Sequence, residues 1–141
     1  MTVSECVKEW LSLYPNLDIS DMATDFIEGD ADSYAIYKSP NKTVDRFNDG
    51  SCMVTEYYQF FARQSTMMDT ERISNQQLLA DLEAWVEDKD YNEDYPDLSG
   101  VGNLRCEEIS ISGSAAITSQ ENDSAIYQVT IAVRYLKERE Q

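Results

Sequence analysis

The chain has 141 residues, with 11 lysines and arginines against 27 aspartates and glutamates, a formal charge of −16 and no histidine. So acidic a surface repels phosphate backbones and anionic headgroups, which argues against direct nucleic-acid or membrane binding; without imidazole, serine and cysteine triads, thermolysin-like zinc sites and histidine-containing deaminase sites are excluded. A domain of this length buries roughly two-thirds of its unfolded surface, enough for a core without metal or disulfide staples.

Thr2 and Glu5 form a capping box, after which Val3, Cys6, Val7, Trp10, Leu11 and Tyr14 trace one helical face until Pro15 stops it. From Asn16 to Asp32 apolar residues are thinly spread among acids, and a loop with one short element around Asp25 to Glu28 is expected. Ser33 to Lys38 reads as a short strand, Ser39-Pro40-Asn41 as a turn and Lys42 to Phe47 as a second short strand. Asn48-Asp49-Gly50 is a hairpin turn that admits positive φ. In the return strand, Cys52 to Gln64, the residues Met53, Thr55, Tyr57, Gln59 and Phe61 alternate with Val54, Glu56, Tyr58, Phe60 and Ala62. Large apolar groups on both faces predict a central strand.

A helix follows. Ser74 is its expected N-cap, Gln77 the box partner and Ile73 the staple to Leu78. Leu78, Leu79, Leu82, Trp85 and Val86 form an apolar stripe, while Gln77, Asp81, Glu83 and Glu87 face water. Asp88 to Asp97 is an acidic, aromatic segment containing Pro96 that cannot be regular throughout, and Leu98 to Asn103 completes a loop. From Leu104 to Ser119 Ile109, Ile111, Ala115 and Ile117 alternate with serines and Glu108, Gly113 marking a bulge or bend. Glu121-Asn122-Asp123 turns the chain into Ala125 to Leu136, where Tyr127, Val129, Ile131, Val133 and Tyr135 share one face. Lys137 to Gln141 is a polar tail. The order helix, hairpin, helix, hairpin predicts a single α+β domain over residues 1–141: a largely antiparallel sheet of four or five strands, in two hairpins, with both helices packed against it.

Chemical motifs are few. Cys6, Cys52 and Cys106 are odd in number, far apart and set among apolar neighbours, which reads as free buried thiols in a reducing compartment. There is no charged segment leading into an apolar run, and no stretch approaches the roughly 20 apolar residues of a membrane span; a cytosolic protein is expected. Asp88, Asp90 and Asn92 open like a calcium loop, but Glu93 stands where Gly must bend the chain and Ser99 where a bidentate Glu is needed. Paired carboxylates suited to glycoside hydrolysis would arise by chance among so many acids. Gly100-Val101-Gly102 lacks the third glycine and the helix of a phosphate loop. Tyr57, Tyr58, Phe60 and Phe61 lack the basic residues of a base-stacking sheet and read as core. No cofactor is expected.

Taken together, the Trp-containing first helix closed by Tyr14-Pro15, the Gly50 turn into Tyr57-Tyr58-Gln59-Phe60 and Arg63, the run Arg72-Ile73-Ser74-Asn75 opening a helix that ends in Leu82-Glu83-Ala84-Trp85, and the strand Ala125-Ile126-Tyr127-Gln128-Val129 resemble the minor capsid or tail-terminator proteins of long-tailed phages and Firmicutes prophages. The similarity covers nearly the whole chain and rests on packing and turn residues. It implies an α+β fold and a closed homo-oligomeric ring, a hexamer, at the head-proximal end of the tail. There the ring would stop polymerisation of the tail tube protein and join the tail to the head connector proteins, in the bacterial host cytoplasm and then in the virion. It implies no catalytic residue and no site motif. Contacts in such a ring are heterologous, one edge of a subunit meeting a different edge of the next.

An acidic lumen suits a ring through which DNA must slide. Glu28, Asp30 and Asp32 in one loop and Asp88, Asp90, Glu93, Asp94 and Asp97 in the other are the candidate lumen or top-face residues, against the alternative of simply solvated loops. Neutralising the second set together is expected to spare folding and impair DNA passage or docking. Rival readings are an acidic DNA mimic from a mobile element, which needs carboxylates at phosphate-like spacing on one face, and an enzyme with a carboxylate-only site, which needs a deep pocket holding two acids.

Overall fold

A computed structural model describes residues 2–14, 23–24, 33–65, 69–120 and 124–138, with the backbone alone for residues 23–24, 33–34, 63–65, 69–76, 78, 114–120 and 124. The elements are α1 (Val3–Leu11), β1 (Ala23–Thr24), β2 (Ser33–Arg46), β3 (Cys52–Ser65), α2 (Asp69–Tyr91), β4 (Leu104–Gln120) and β5 (Ser124–Lys137). They form an α+β fold whose sheet runs β1-β2-β3-β5-β4. The four long strands are antiparallel, and the two-residue β1 adds in parallel beside Ala35 and Ile36. The expected element around Asp25 to Glu28, the turn at 121–123 and the end of the polar tail lie outside the described residues.

β3 lies in the middle of the sheet, as its two apolar faces require. Val54, Tyr58, Phe60 and Ala62 join Tyr127, Val129, Ile131, Val133 and Tyr135 of β5 on the inner face, where Val7 and Leu11 of α1 and Leu79, Leu82 and Val86 of α2 close over them. Val7 and Leu11 are both 0% exposed, and burying such a side chain stabilises by roughly 1.5–3 kcal/mol. On the opposite face Met53, Thr55, Tyr57, Gln59 and Phe61 are half-buried. Tyr37 meets Phe61 edge to face there, with ring centroids 5.3 Å apart, the diagonal contact that aromatic side chains make across an antiparallel pair.

Several local signals act as expected. Glu5 donates its backbone N–H to Thr2 Oγ1 at 3.2 Å, capping α1. The Phe47–Ser51 turn closes through Phe47 N–H to Ser51 O and Gly50 N–H to Phe47 O, with Gly50 at φ 91, a region glycine enters without steric cost. Gly113 lies between two of the four register shifts by which β4 bulges along β5.

Three boundaries differ from the sequence reading. Ser33 to Arg46 is one strand: Ser39, Pro40 and Asn41 face Tyr57 alone between the Lys38–Tyr58 and Lys42–Glu56 pairs. The proline therefore sits in a bulge, where its missing N–H leaves no ladder position empty. The second helix begins at Asp69, so Ser74 is inside it and not its N-cap. Nothing from Asp69 to Tyr91 is glycine or proline, and a helix propagates over such residues once packing nucleates it. For the same reason Asp88 to Tyr91 is the last turn of α2 rather than loop, giving 23 residues, about 35 Å of helix.

Candidate functional site

At its C-terminus α2 stops in a three-way joint. Glu93 N–H donates to Asp90 O and Asp94 N–H to Lys89 O, with Glu93 at φ 57. This is the paired bonding of a Schellman cap, with glutamate where glycine usually sits. The cap brings the Asp94 carbonyl to Trp10 Nε1, which donates to it at 2.8 Å. Trp10 also packs on Trp85, centroids 4.8 Å apart, and Tyr14 packs on Trp85 at 5.5 Å. Lys89 reaches over Trp85, 5.4 Å from its centroid, and ion-pairs with Asp94 at 2.7 Å. Thus α1 and α2 are joined by aromatic contact and by one buried-side donor.

The acidic residues singled out from the sequence separate here into tied and free groups. Asp90 Oδ1 accepts the N–H of Ile109 in β4 at 3.0 Å, and Tyr95 donates to the Asp90 carbonyl at 3.4 Å. Removing the Asp90 carboxylate therefore acts on the fold as well as on charge. Asp97 accepts from Ser99 N–H, and that bond holds its carboxyl below the usual range. Asp88 and Glu93 are exposed. Glu28, Asp30 and Asp32 lie outside the described residues. Among the described residues no three histidines, cysteines or acids are grouped to hold a metal, and no helix is long and apolar enough to cross a membrane.

A second polar centre lies inside the core. Glu56 is 3% exposed. It accepts from Tyr58 Oη at 2.7 Å and Tyr135 Oη at 3.0 Å, and pairs with Lys38 Nζ at 3.2 Å, the lysine reaching in from the half-open side. Burial, then the bond to Glu56, pushes the Tyr58 hydroxyl far above its usual range; burial and the Glu56 charge do the same to Tyr135. Both remain neutral donors at any physiological pH, so this centre binds a carboxylate in place rather than moving protons. Sequence reasoning missed it, although the signal was present: an acid at an inner-face position of β3, two residues from a tyrosine. Tyr135 also lines a cleft of about 280 Å³ with Val3, Val101, Leu104, Lys137 and Glu138. That cleft carries one carboxylate, Glu138, so two acids are not assembled there.

The three cysteines are free, Cys6 and Cys106 buried and Cys52 half-buried. Burial pushes the Cys106 thiol up to about 12 and raises Cys6. No family model and no curated protein matches this chain.

Proposed function

We propose that this chain is a virion assembly protein of a long-tailed phage or prophage, a tail terminator that caps the tail tube as a ring and joins it to the head connector. The observation that carries the reading is the placement of the residues on which the sequence resemblance rests. Trp10, Tyr14, Tyr58, Phe60, Tyr127 and Val129 belong to one buried cluster, and Trp85 packs against it. What resembles the family is thus the frame of the fold rather than scattered surface positions. An acidic lumen lets DNA pass without retention, and Glu93 and Asp97, exposed beyond the end of α2, are its candidates with Glu28, Asp30 and Asp32. The DNA-mimic reading is disfavoured because Asp90 and Asp94 are engaged within the chain, which breaks the run of free carboxylates in that loop.

The test is a polymerisation assay. Tail tube protein from the same genome is allowed to assemble with and without the purified chain, and tubes are measured by negative-stain electron microscopy. Short tubes with a density on one end are expected. Tubes of unchanged length and bare ends at saturating chain would refute the reading.

A further inference from the structure

Basic side chains are scarce in this chain, yet three of the eleven lie on one strand. Lys38, Lys42 and Arg46 are all on β2, all exposed, and among the described residues β2 pairs beyond β3 only with the two residues of β1. Lys42 and Arg46 have no ion-pair partner among the described residues, and the exposed Phe47 follows them at the hairpin turn.

At the other edge of the sheet α2 presents a different surface. Gln77, Ala80, Asp81, Ala84, Glu87, Asp88 and Tyr91 recur at helical spacing and every one is exposed, Tyr91 by 87%. Its lower half is acidic and ends in that aromatic ring. The two surfaces stand at the same level: Lys42 of β2, Glu56 of β3, Val133 of β5 and Ile109 of β4 form one row across the sheet, and Ile109 is bonded to Asp90 in the last turn of α2. A basic edge and an acidic helix therefore lie at opposite sides of one subunit, level along the strands.

We propose that these are the two halves of a subunit contact, whose occupant is a second copy of this chain. The β2 edge, through Lys42, Arg46 and Phe47, docks on the α2 stripe of Glu87, Asp88 and Tyr91 in the next copy. Because the two surfaces differ and sit on opposite edges, the contact is heterologous and repeats from copy to copy, building a ring where the rotation between copies closes. Copies that each carry −16 repel at distance, so association needs a local pairing of opposite charge, and this is where the fold provides one. The inference rests on the assembly reading in taking a ring as the assembled state, and it assigns Asp88 to the subunit contact instead of the lumen.

The experiment uses two charge-reversed proteins, Lys42→Glu with Arg46→Glu and Glu87→Lys with Asp88→Lys. Mass is followed by sedimentation and light scattering over a concentration series at about 0.15 M salt, where exposed charges still interact over roughly 8 Å. Wild type is expected to form a closed multimer, and each variant alone to associate roughly tenfold or more weakly. Equimolar mixing is expected to restore the multimer, since every edge then meets a helix of opposite sign. Single Arg46→Glu and Glu87→Lys proteins carry the same test if either double variant loses its native circular-dichroism spectrum. Variants that assemble as wild type does, a mixture of folded variants that fails to recover, or a wild type that stays monomeric throughout would each overturn the contact. Tube arrest decides the function separately: arrest with unaltered variant rings removes the contact alone, while rings built through these surfaces without arrest remove the tail-terminator reading alone.

Discussion

Glu56 and Tyr135, 79 positions apart in sequence, meet across β3 and β5 with the tyrosine hydroxyl donating to the carboxylate at 3.0 Å. Tyr58 donates to the other oxygen and Lys38 neutralises the charge from the sheet edge. A carboxylate this buried is stable only with such partners, and its partners are equally dependent on it. Glu56→Ala orphans two buried hydroxyls and is expected to cost roughly 2–4 kcal/mol, whereas Glu56→Gln keeps one acceptor and should cost about half that. Urea unfolding followed by tryptophan fluorescence measures both. Equal losses for the two variants would contradict the assigned bonding.

At the end of α2 the strained residue is Glu93, at φ 57. A side chain in the left-handed region costs roughly 1–2 kcal/mol, part of which glycine recovers after its greater unfolded-state entropy is subtracted. Glu93→Gly is therefore expected to stabilise by roughly 0.5–1 kcal/mol, seen as a higher urea midpoint with an unchanged slope.

The candidate acidic residues should divide by the same measurement. Asp90→Ala removes the acceptor of Ile109 N–H and is expected to cost roughly 1–3 kcal/mol. Asp88→Asn is exposed and unconnected to the core, so it should stay within about 0.5 kcal/mol of wild type. Trp10→Phe, which removes the indole donor to Asp94 O and little of the aromatic packing, falls between them at about 1 kcal/mol.

Stability should decline at high pH. Cys106 has an ordinary value of 9.0 and is raised to about 12 by burial; Tyr95 is likewise raised by burial to about 12, and Tyr58 and Tyr135 are raised too. Between these values the unfolded chain has lost protons that the folded chain still holds, so unfolding becomes more favourable as pH rises. The contribution is fully present below about 9 and lost toward 12. A pH series of thermal midpoints should be flat from neutrality to about 9 and then fall, with Cys106→Ala shallower above 9. Thiol labelling at pH 8 should modify Cys52 well before Cys6 or Cys106.

Much of the fold is legible from the chain because it rests on short-range pattern. The two-sided apolar alternation of Cys52 to Gln64 identifies a central strand, the stripe from Val3 to Tyr14 identifies the first helix, and Asn48-Asp49-Gly50 with its positive φ identifies the first hairpin. These follow from the period of 2 or 3.6 and from what a local backbone allows, and neither needs a distant partner. The ends of α2 were not legible, since a Ser-x-x-Gln sequence is the same whether it opens a helix or lies within one, and only packing of the stripe decides how far the helix runs. The bulge at Pro40 has the sequence of a turn for a similar reason: whether a proline breaks a strand or is absorbed depends on what lies opposite.

The tertiary structure alone decided what meets across long separations. That β5, not β4, lies beside β3 is a choice between non-local pairings that local propensity does not distinguish. That placement buries Glu56 beneath Tyr58 and Tyr135, sets α2 at the edge opposite Lys42 and Arg46, and ties Asp90 to Ile109. Residue by residue the sequence states charge and periodicity; burial and neighbourhood, which give a glutamate or a lysine its role, arise only when the strands have taken their order.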